Sequence, residues 1–566
     1  MSPVDGKDKF TLPYDPEKWQ RRFEEGVESH DDKHRRIYEE LVDIVGPNYV
    51  ADDPGVCEAY CRDYLSGNLM TKGRAEFVVL PGSTEDIQQI LKLANRLNFP
   101  FSIMSVGMTT SCFAAEGIPY WCQIDPKRMN RLEIDEKNMY AIVEPGVTHG
   151  GLQIEAMKVG LFNSMPSVGL QASPLAANVC YGIHKSMYRT GHGSKNILGM
   201  EWVLPDGAVL RTGSLATSGA GYFWGEGPGP DSRAIIRGLS TAAGSLGIVT
   251  RVAIKLFPWP GPRVWPIEGT APNHVVKLPP ERFKFYFYIY PTLEASVEAM
   301  REIAKVEIAG TVHRWSVWQM SNFVHKCREE RWEKWLGGYW ERIFGSRTAN
   351  VITVGLYGWA SEKQVKYEER VLQHIVEKTG GKPVPDEIYD TLVQRVGLDS
   401  IKSDGASRVH RTGHGWYLCD AEIQTLTDAM REIPVFQEIL DKYTPPLLDM
   451  GSPAWIAPMD LGHFAVLEIY GAHPERGEKA ELELLPGALE DSARQMRDKV
   501  LGLFVLLRAP ANITGKAFAN VHLLTAKIKK ALDPNYIANP TRYINMEEMG
   551  ATDTGPKDHI TPHGGF

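Results

Sequence analysis

The stretch Gly199-Met200-Glu201-Trp202-Val203-Leu204-Pro205-Asp206-Gly207 is the part of this chain that says most about its fold. A short apolar run ends at Leu204, and a second run, Ala208-Val209-Leu210, follows the Asp-Gly pair. Asp-Gly between two such runs is a strong signal for a tight turn joining antiparallel strands. The sequence therefore predicts a β-hairpin here.

Strands alternate with helices on the N-terminal side of this hairpin. Phe77 to Leu80 is a buried strand by composition, and Pro81-Gly82 ends it. Ser83 is the predicted N-cap of the next helix, with Asp86 at the reciprocal position of a capping box. Further strands are predicted at Phe101–Ser105, Trp121–Ile124, Tyr140–Val143 and Gly247–Val252, with a helix at Gly151–Val159.

A Pro-rich stretch, Pro258 to Pro266, marks a change of pattern. Beyond it, Phe283 to Tyr290 alternates strongly, and strands then alternate with long helices such as Glu362 to Glu377. We predict an α+β protein whose second part is a mostly antiparallel sheet covered by helices. The expected division is an extended N-terminal arm at 1–38, one domain formed by 39–262 and 500–566, and a cap domain at 263–499.

Composition limits the possible functions. A chain of 566 residues is longer than a single domain with one hydrophobic core, so two or more domains are expected. The formal net charge of -8 does not indicate the basic surface that nucleic-acid binding requires. No apolar run is long enough to span a bilayer, and the polar start is unlike a signal peptide, so we expect a cytoplasmic protein. The seven cysteines are scattered, and no histidine pair comes with a third ligand, so we expect no metal site.

Several nucleotide and hydrolase motifs are missing, but a series of small-residue loops is present. There is no Gly-x-Gly-x-x-Gly opening a helix, no Walker A sequence and no Gly-x-Ser-x-Gly elbow. Loops that let a backbone approach a ligand follow the predicted strands, and successive N–H groups in such loops bind anions. They are Ser105–Cys112, Glu144–Thr148, Pro166–Pro174, Gly191–Ser194 and Gly244–Thr250.

In order and spacing these segments resemble the FAD domain of the vanillyl-alcohol oxidase/p-cresol methylhydroxylase family. The resemblance rests on Val143–Val147, on the Gly199–Gly207 stretch, on Gly247–Arg251 and on the closing segment Asp533-Pro534-Asn535 to Asn539-Pro540-Thr541-Arg542. It covers about residues 70–260 and 505–543. It implies a two-part FAD-binding domain, with the cap domain shaping a pocket for a small-molecule substrate that the flavin oxidises.

The resemblance also implies which residues bind FAD. The loop from Ser105 would cradle the pyrophosphate, the segment from Ser167 would lie beside the flavin, and Ile248 would meet the adenine end. Many family members attach the flavin covalently, and His414, or else Tyr417, stands where such a residue is expected. The predicted cofactor-binding set is Ser105, Val106, Gly107, Met108, Thr109, Thr110, Ser111, Cys112, Pro145, Gly146, Ser167, Val168, Gly169, Ser173, Gly193, Leu198, Gly247, Ile248, Val249, His414, Tyr417 and Arg542.

The chain departs from the family at the substrate end. Cys112 replaces an active-site tyrosine, Ser167 replaces the catalytic aspartate, and the Tyr-Arg pair that holds a phenolate has no match near Asn512–Gly515. Abstracting hydride from an alcohol needs a base for the hydroxyl proton, and histidine suits that work. The predicted catalytic residues are His463 and His192, with Arg411 to hold an anionic oxygen; His184 and Arg408 are further candidates.

Three functions remain open on the sequence. The first is FAD-dependent oxidation of a small alcohol or aromatic compound, with oxygen or a redox protein as the electron acceptor. The second is a FAD-dependent D-2-hydroxy acid dehydrogenase, which would need arginines for the carboxylate. The third is an electron-transfer or structural subunit of a larger redox complex. A homodimer is a further expectation from the resemblance.

Overall fold

The computed structural model describes residues 15–26, 28–61, 73–105, 114–163, 170–227, 233–236, 244–270, 274–325, 327–402, 414–445, 447–474, 503–504 and 521–540. Helices and strands are mixed, as the α+β prediction requires, and the strands form three larger sheets. Among the described helices, none has both the length and the apolar composition that a bilayer crossing requires.

The helices, in chain order, are α1 (Pro16–Glu24), α2 (His30–Val45), α3 (Pro54–Ala59), α4 (Thr84–Leu97), α5 (His149–Lys158), α6 (Pro174–Ala176), α7 (Met187–Thr190), α8 (Arg233–Ile236), α9 (Leu293–Lys305), α10 (Val317–Val324), α11 (Arg328–Leu336), α12 (Tyr339–Phe344), α13 (Glu362–Thr379), α14 (Asp386–Leu392), α15 (Leu426–Lys442) and α16 (Val521–Leu532).

The strands are β1 (Val50–Ala51), β2 (Phe77–Val79), β3 (Phe101–Ile103), β4 (Cys122–Ile124), β5 (Leu132–Asp135), β6 (Tyr140–Val143), β7 (Leu161–Asn163), β8 (Ile197–Val203), β9 (Val209–Gly213), β10 (Ile248–Pro258), β11 (Ile267–Glu268), β12 (Val275–Val276), β13 (Phe283–Tyr290), β14 (Thr311–Trp315), β15 (Asn350–Tyr357), β16 (Lys382–Pro383), β17 (His414–Gln424), β18 (Ala454–Met459), β19 (Phe464–Pro474) and β20 (Leu503–Phe504).

The first sheet has the strand order β1-β2-β4-β3, with β2, β4 and β3 parallel. Helix α4 connects β2 to β3, and its start matches the predicted cap: the Ser83 hydroxyl accepts from the Asp86 N–H at 3.1 Å. The Asp86 carboxylate accepts from the Gly82 N–H at 2.8 Å, one residue before the N-cap that a capping box would use. Apolar residues of α4 fill the core beneath this sheet.

The predicted N-terminal arm is helical over much of its length rather than extended. Helices α1 and α2 occupy residues 16–24 and 30–45, and Trp19, Phe23 and Ile37 are buried in the core of the first sheet. An amphipathic stripe in a polar, charged segment was the missed signal, because the apolar residues are few but correctly spaced.

The second sheet contains the predicted hairpin. Strands β8 and β9 pair antiparallel, with Val203 opposite Val209 across the Asp206-Gly207 turn. Strand β10 crosses the sheet beside β8 and continues to Pro258, farther than the sequence predicts. The strand order is β5-β6-β10-β8-β9, and β7 also pairs with β10.

The closing segment of the chain is bound into both sheets through a buried lysine. Lys529 Nζ donates to the carbonyls of Ser245 and Ala538, each at 2.6 Å, and to the Asp533 carboxylate at 2.5 Å. Both side chains of this ion pair are fully buried. The Asn539 N–H bonds the Phe101 carbonyl at 2.7 Å, so the segment is fixed against β3. The closing segment that begins at Asp533-Pro534-Asn535 therefore has a structural role, because it is fixed to both sheets.

The third sheet lies beyond the Pro-rich stretch and is antiparallel throughout, in the order β16-β13-β15-β14-β18-β19-β17-β20. Helices α9, α13 and α15 pack on one face, where their apolar sides share a core with β14, β15 and β18. Strand β20 falls inside the predicted segment 500–566, yet it pairs with β17 and so joins this sheet.

Candidate functional site

Much of the predicted FAD-binding set lies outside the described residues. These are Val106, Gly107, Met108, Thr109, Thr110, Ser111, Cys112, Ser167, Val168, Gly169 and Arg542. The candidates Arg408 and Arg411 lie outside them as well. His414 and Tyr417 are placed on β17 by their backbone, with His414 opposite Pro474 and Tyr417 at a register shift. Their FAD contacts remain predictions.

The other predicted cofactor residues lie on or beside strands of the first and second sheets and in the segment that leads into β8. Ser105 directly follows β3, and Ser173 caps α6 by accepting from the Ala176 N–H at 3.4 Å. Gly193 donates from its backbone to the Gly182 carbonyl at 2.7 Å. Leu198 lies on β8, while the Ile248 and Val249 side chains are buried at the start of β10.

Two of these glycines have a packing reason that is independent of any ligand. A Cβ on Gly146 would lie 2.5 Å from the Lys127 carbonyl oxygen, so the turn after Pro145 packs against the 126–129 turn. Gly247 has a φ of +108°, and a Cβ there would lie 2.3 Å from the Val203 carbonyl oxygen. The tight packing explains why glycine stands at both positions.

The predicted bases His192 and His184 are buried in the segment that leads from α6 into β8. The His192 Nδ1 lies 2.7 Å from the Ser194 hydroxyl, and its ring is so close to Gly182 that a Cβ there would lie 1.9 Å from Cε1. His184 Nε2 lies 3.0 Å from the Gly191 carbonyl oxygen, so it carries the proton and leaves Nδ1 as an acceptor. Burial lowers the pKa of His184 to about 3, which keeps this ring neutral.

His463, the other predicted base, differs from His192 and His184 in its exposure to solvent. It is exposed and precedes β19, in the turn that follows Asp460–Gly462. That turn does contact the His192 loop, because Lys195 Nζ binds the Asp460 carboxylate at 2.7 Å. The structure therefore brings the two predicted histidine segments together, but only His192 is buried.

The sequence interpretation missed an ion pair between the two predicted domains. Lys185 of the α6–β8 segment binds the carboxylate of Asp399 in the cap, and the two side chains are 6% and 2% exposed. The Lys185 carbonyl accepts from the Thr311 hydroxyl at 2.9 Å, and that hydroxyl lies 2.5 Å from His313 Nε2. His313 Nδ1 accepts from Trp455 Nε1 at 3.2 Å, which fixes the tautomer.

Aromatic rings surround the Lys185 ammonium. Its Nζ lies 5.8 Å from the centre of the Trp315 ring and 5.2 Å from that of Phe323. Trp315 stacks on Trp455, with centroids 5.3 Å apart and an interplanar angle of 14°. These distances suit cation–π attraction in a site that is shielded from water. The cluster thus combines flat apolar walls with a paired buried charge.

Several buried polar groups have no hydrogen-bond partner among the described residues near the junction, the place where Lys185 contacts Asp399. Over 90% of buried polar atoms in proteins are hydrogen-bonded, so a concentration of exceptions calls for an explanation. Within the described residues, side-chain atoms without a hydrogen-bond partner include both ring nitrogens of His149, Asn178 Oδ1, His184 Nδ1 and Asn196 Nδ2. The backbone N–H groups of His149 and Gly150 bond the 170–172 segment at 2.8 Å.

This set of donors and acceptors matches the chemistry of FAD. Its isoalloxazine and ribityl parts carry carbonyl oxygens, ring nitrogens and hydroxyls, which pair with imidazole and carboxamide groups. The residues present therefore fit a bound flavin at the junction. Within the described ranges, no group of three or more His, Cys, Asp or Glu side chains is placed to bind a metal ion.

Comparison with known sequences gives the same cofactor. A family profile described as "FAD binding domain" matches residues 75–213. The chain is 30% identical over 223 residues to an uncharacterised FAD-linked oxidoreductase of Mycobacterium tuberculosis, covering 38% of this chain and 44% of that protein. It is 28% identical to a glycolate oxidase subunit of Bacillus subtilis, covering 40% and 45%. It is 32% identical to the 4-cresol dehydrogenase flavoprotein subunit of Pseudomonas putida, covering 31% and 34%. Each alignment thus spans less than half of the relative.

Solved structures match over nearly the whole chain. Substrate-bound p-cresol methylhydroxylase superposes with a TM-score of 0.73 at 18% identity, covering 92% of this chain and 98% of that one. The 4-ethylphenol oxidase of Gulosibacter chungangensis gives 0.71 at 20% identity with the same coverage. The fold is therefore the FAD-binding fold of p-cresol methylhydroxylase with its antiparallel cap sheet. The chain therefore contains a FAD-binding domain at residues 75–213, binds FAD, and shares its overall fold with p-cresol methylhydroxylase and 4-ethylphenol oxidase.

Proposed function

We propose that this protein oxidises a small alcohol or phenolic compound by hydride transfer to the flavin. The observation that carries the proposal is the junction cluster, where a stacked tryptophan pair, Trp315 and Trp455, lies beside the buried Lys185 ammonium. Flat aromatic walls favour a flat apolar substrate, and the polar groups give it an orientation. When bound, the flavin would accept the two electrons, and the protein would supply position and electrostatics.

The chain's own residues would then have three tasks. The aromatic side chains of the cap would exclude water and hold the substrate ring. Neutral His184, whose Nδ1 is an acceptor, would bind a donor of the flavin or the substrate, because its low pKa opposes protonation. His149, Asn178 and Asn196 would hold the cofactor through atoms that have no partner among the described residues.

The reactivity of the flavin with different substrate classes tests this proposal. The purified protein is mixed anaerobically with benzylic alcohols, 4-alkylphenols, glycolate or D-lactate, and bleaching of the flavin absorbance is followed. We expect reduction by an alcohol or a phenol and none by the hydroxy acids. Trp315→Ala should raise the substrate concentration at which the rate of flavin reduction is half-maximal. Trp265→Ala changes a half-buried ring outside the junction and should leave that concentration unchanged.

A FAD-dependent D-2-hydroxy acid dehydrogenase is the second candidate. It is favoured by the similarity to a glycolate oxidase subunit, and by Arg331, which is buried in the cap over the Trp318 ring at 3.6 Å. Burial lowers the pKa of Arg331 to about 9, so it stays cationic near neutral pH and could pair with a carboxylate. Reduction by D-lactate or glycolate alone would establish this candidate instead.

Some features of the proposal rest on the family resemblance and composition alone. They are covalent FAD attachment through His414 or Tyr417, oxygen or a redox protein as acceptor, a homodimer or a larger redox complex, and a cytoplasmic location. A protein that binds FAD but is reduced by no substrate, and that co-purifies with a partner, would favour an electron-transfer or structural subunit. Size-exclusion chromatography tests the oligomeric state, and cell fractionation tests the location.

A further inference from the structure

We propose that Asp399 and Lys185 together bind the reacting hydroxyl of the substrate, with Asp399 taking its proton and Lys185 donating to its oxygen. This inference rests on the proposed function, because it assigns the base for that oxidation. It replaces His463 and His192 in that role.

Position is the first argument. Lys185 belongs to the segment between α6 and β8, and Asp399 to the cap, so the pair lies where the flavin-binding part meets the cap. A second contact crosses the same boundary beside it: Gln153 Nε2 on α5 donates to the Ile401 carbonyl at 2.7 Å. The pair is thus held from both sides of the boundary between the two parts of the chain.

Polar atoms without partners are the second argument. Within the described residues, Ser400 Oγ, Trp315 Nε1, Gln319 Nε2 and both amide atoms of Asn322 have no hydrogen-bond partner, and each side chain is at least nine-tenths buried. Ser400 adjoins Asp399, while Gln319 and Asn322 lie on α10 with Phe323, whose ring faces Lys185. Such a concentration points to a small polar molecule bound among these groups.

Charge balance is the third argument, and it selects a neutral hydroxyl. Each of the two contacting charges favours the ionised form of the other, and together they bury no net charge. A neutral alcohol can donate its O–H to the carboxylate and accept from the ammonium without leaving a charge unpaired. A carboxylate substrate would add a buried negative charge that nothing in the pair neutralises.

The proton and electron balance is complete. The substrate O–H bond would break with its proton passing to the Asp399 carboxylate, and the carbinol C–H bond would break with loss of hydride, for which a bound oxidised flavin would supply the two-electron acceptor. The C=O bond of the product forms, and the Lys185 ammonium stabilises the negative charge that develops on that oxygen. Thr311 and His313 are positioning residues, because their hydrogen bonds fix the Lys185 backbone.

The test uses the flavin-loaded protein and benzylic alcohol probes, with benzyl alcohol and 4-hydroxybenzyl alcohol compared. Asp399→Asn should lower the limiting rate of anaerobic flavin reduction by about 10²- to 10⁴-fold, the usual contribution of a general base. The probe concentration at half-saturation should change far less. Lys185→Met should also lose the rise in unfolding temperature that the product 4-hydroxybenzaldehyde gives to the wild type.

Two further variants separate chemistry from folding. The double variant Lys185→Met with Asp399→Leu removes both charges, and such replacements of buried pairs are often neutral or stabilising. It should fold, bind FAD and remain unreactive. Lys305→Met removes an exposed charge on α9, which packs in the other core of the third sheet rather than with the junction residues, so it should keep full activity.

The outcomes distinguish this inference from the proposed function. Reduction of the wild type that persists at full rate in the double variant overturns the role of the pair and leaves the proposed function standing. A wild type that no alcohol or phenol reduces overturns both. Loss of the rate in Asp399→Asn and in the double variant, with FAD binding intact, supports the assignment.

Discussion

Lys529→Met is expected to destabilise the flavin-binding part of the protein strongly. Lys529 is fully buried and donates to Asp533 and to two backbone carbonyls. Methionine keeps the length of the side chain but removes the charge and all three hydrogen bonds. Among the described residues, the Asp533 carboxylate then keeps the N–H groups of Ile537 and Ala538, at 3.2 and 2.9 Å.

The size of the effect follows from the burial. Removing one partner of a buried ion pair costs about 3–5 kcal/mol, because the remaining charge has no compensation. For a domain of roughly 200 residues this lowers the unfolding temperature by on the order of 10 °C. The variant also removes the hydrogen bond to the Ser245 carbonyl in the turn before β10, so FAD affinity should fall with stability.

Thermal unfolding followed by circular dichroism measures this, with Lys277→Met as the matched control. Lys277 pairs with Glu268 at 2.7 Å, but both side chains are more than 60% exposed, so its loss should change stability by about 0.5 kcal/mol or less. The double variant Lys529→Met with Asp533→Leu should recover part of the loss. If Lys529→Met unfolds at the same temperature as Lys277→Met, the anchoring role of the closing segment is refuted.

Three other perturbations have definite expected outcomes. Gly182→Ala should lower the free energy of unfolding by about 1–3 kcal/mol for the left-handed backbone, and the clash with His192 adds to that loss. Gly219→Ala should cost less, because Gly219 also has a positive φ of +78° but its Cβ would meet no atom within 4 Å. Burial lowers the pKa of His149, His184 and His313 from 6.5 to about 3, so unfolding takes up protons below pH 6.5. The free energy of unfolding is at its full value above that pH and falls as the pH drops toward about 3. Urea titrations at several pH values measure this dependence, and His149→Phe should reduce the slope of the unfolding free energy against pH by about 1.4 kcal/mol per pH unit. Tyr357→Phe should leave the unfolding temperature unchanged or raise it, because the buried hydroxyl has no partner in the described part of the chain; a fall of several degrees in calorimetry would contradict this.

The fold could be predicted from the sequence wherever local patterns agree with burial. The alternation of Phe283 to Tyr290 gave β13 with its bounds, and the Asp-Gly turn gave the β8–β9 hairpin. Strands β14 and β18 were missed, because both are buried along their whole length and so show no alternation. Polar residues within β14, such as His313 and Arg314, also masked its apolar character.

The candidate site was harder to predict, since its key contacts join distant parts of the chain. Lys185 and Asp399 lie in unrelated local sequences, and neither forms a motif that would mark it as functional. The exposed position of His463 depends on where a turn ends and β19 begins, which is a one-residue distinction. Only the loops predicted to bind the cofactor carried a sequence signal, because their order resembles that of the vanillyl-alcohol oxidase/p-cresol methylhydroxylase family.

An absorbance spectrum of the purified protein, before and after acid precipitation, tests the central claim most directly. A flavin spectrum is expected, and flavin that stays with the pellet would establish a covalent link whose position His414→Ala and Tyr417→Phe would locate. Flavin released to the supernatant would keep FAD binding and remove the covalent proposal. A colourless protein that also fails to take up added FAD would contradict the account.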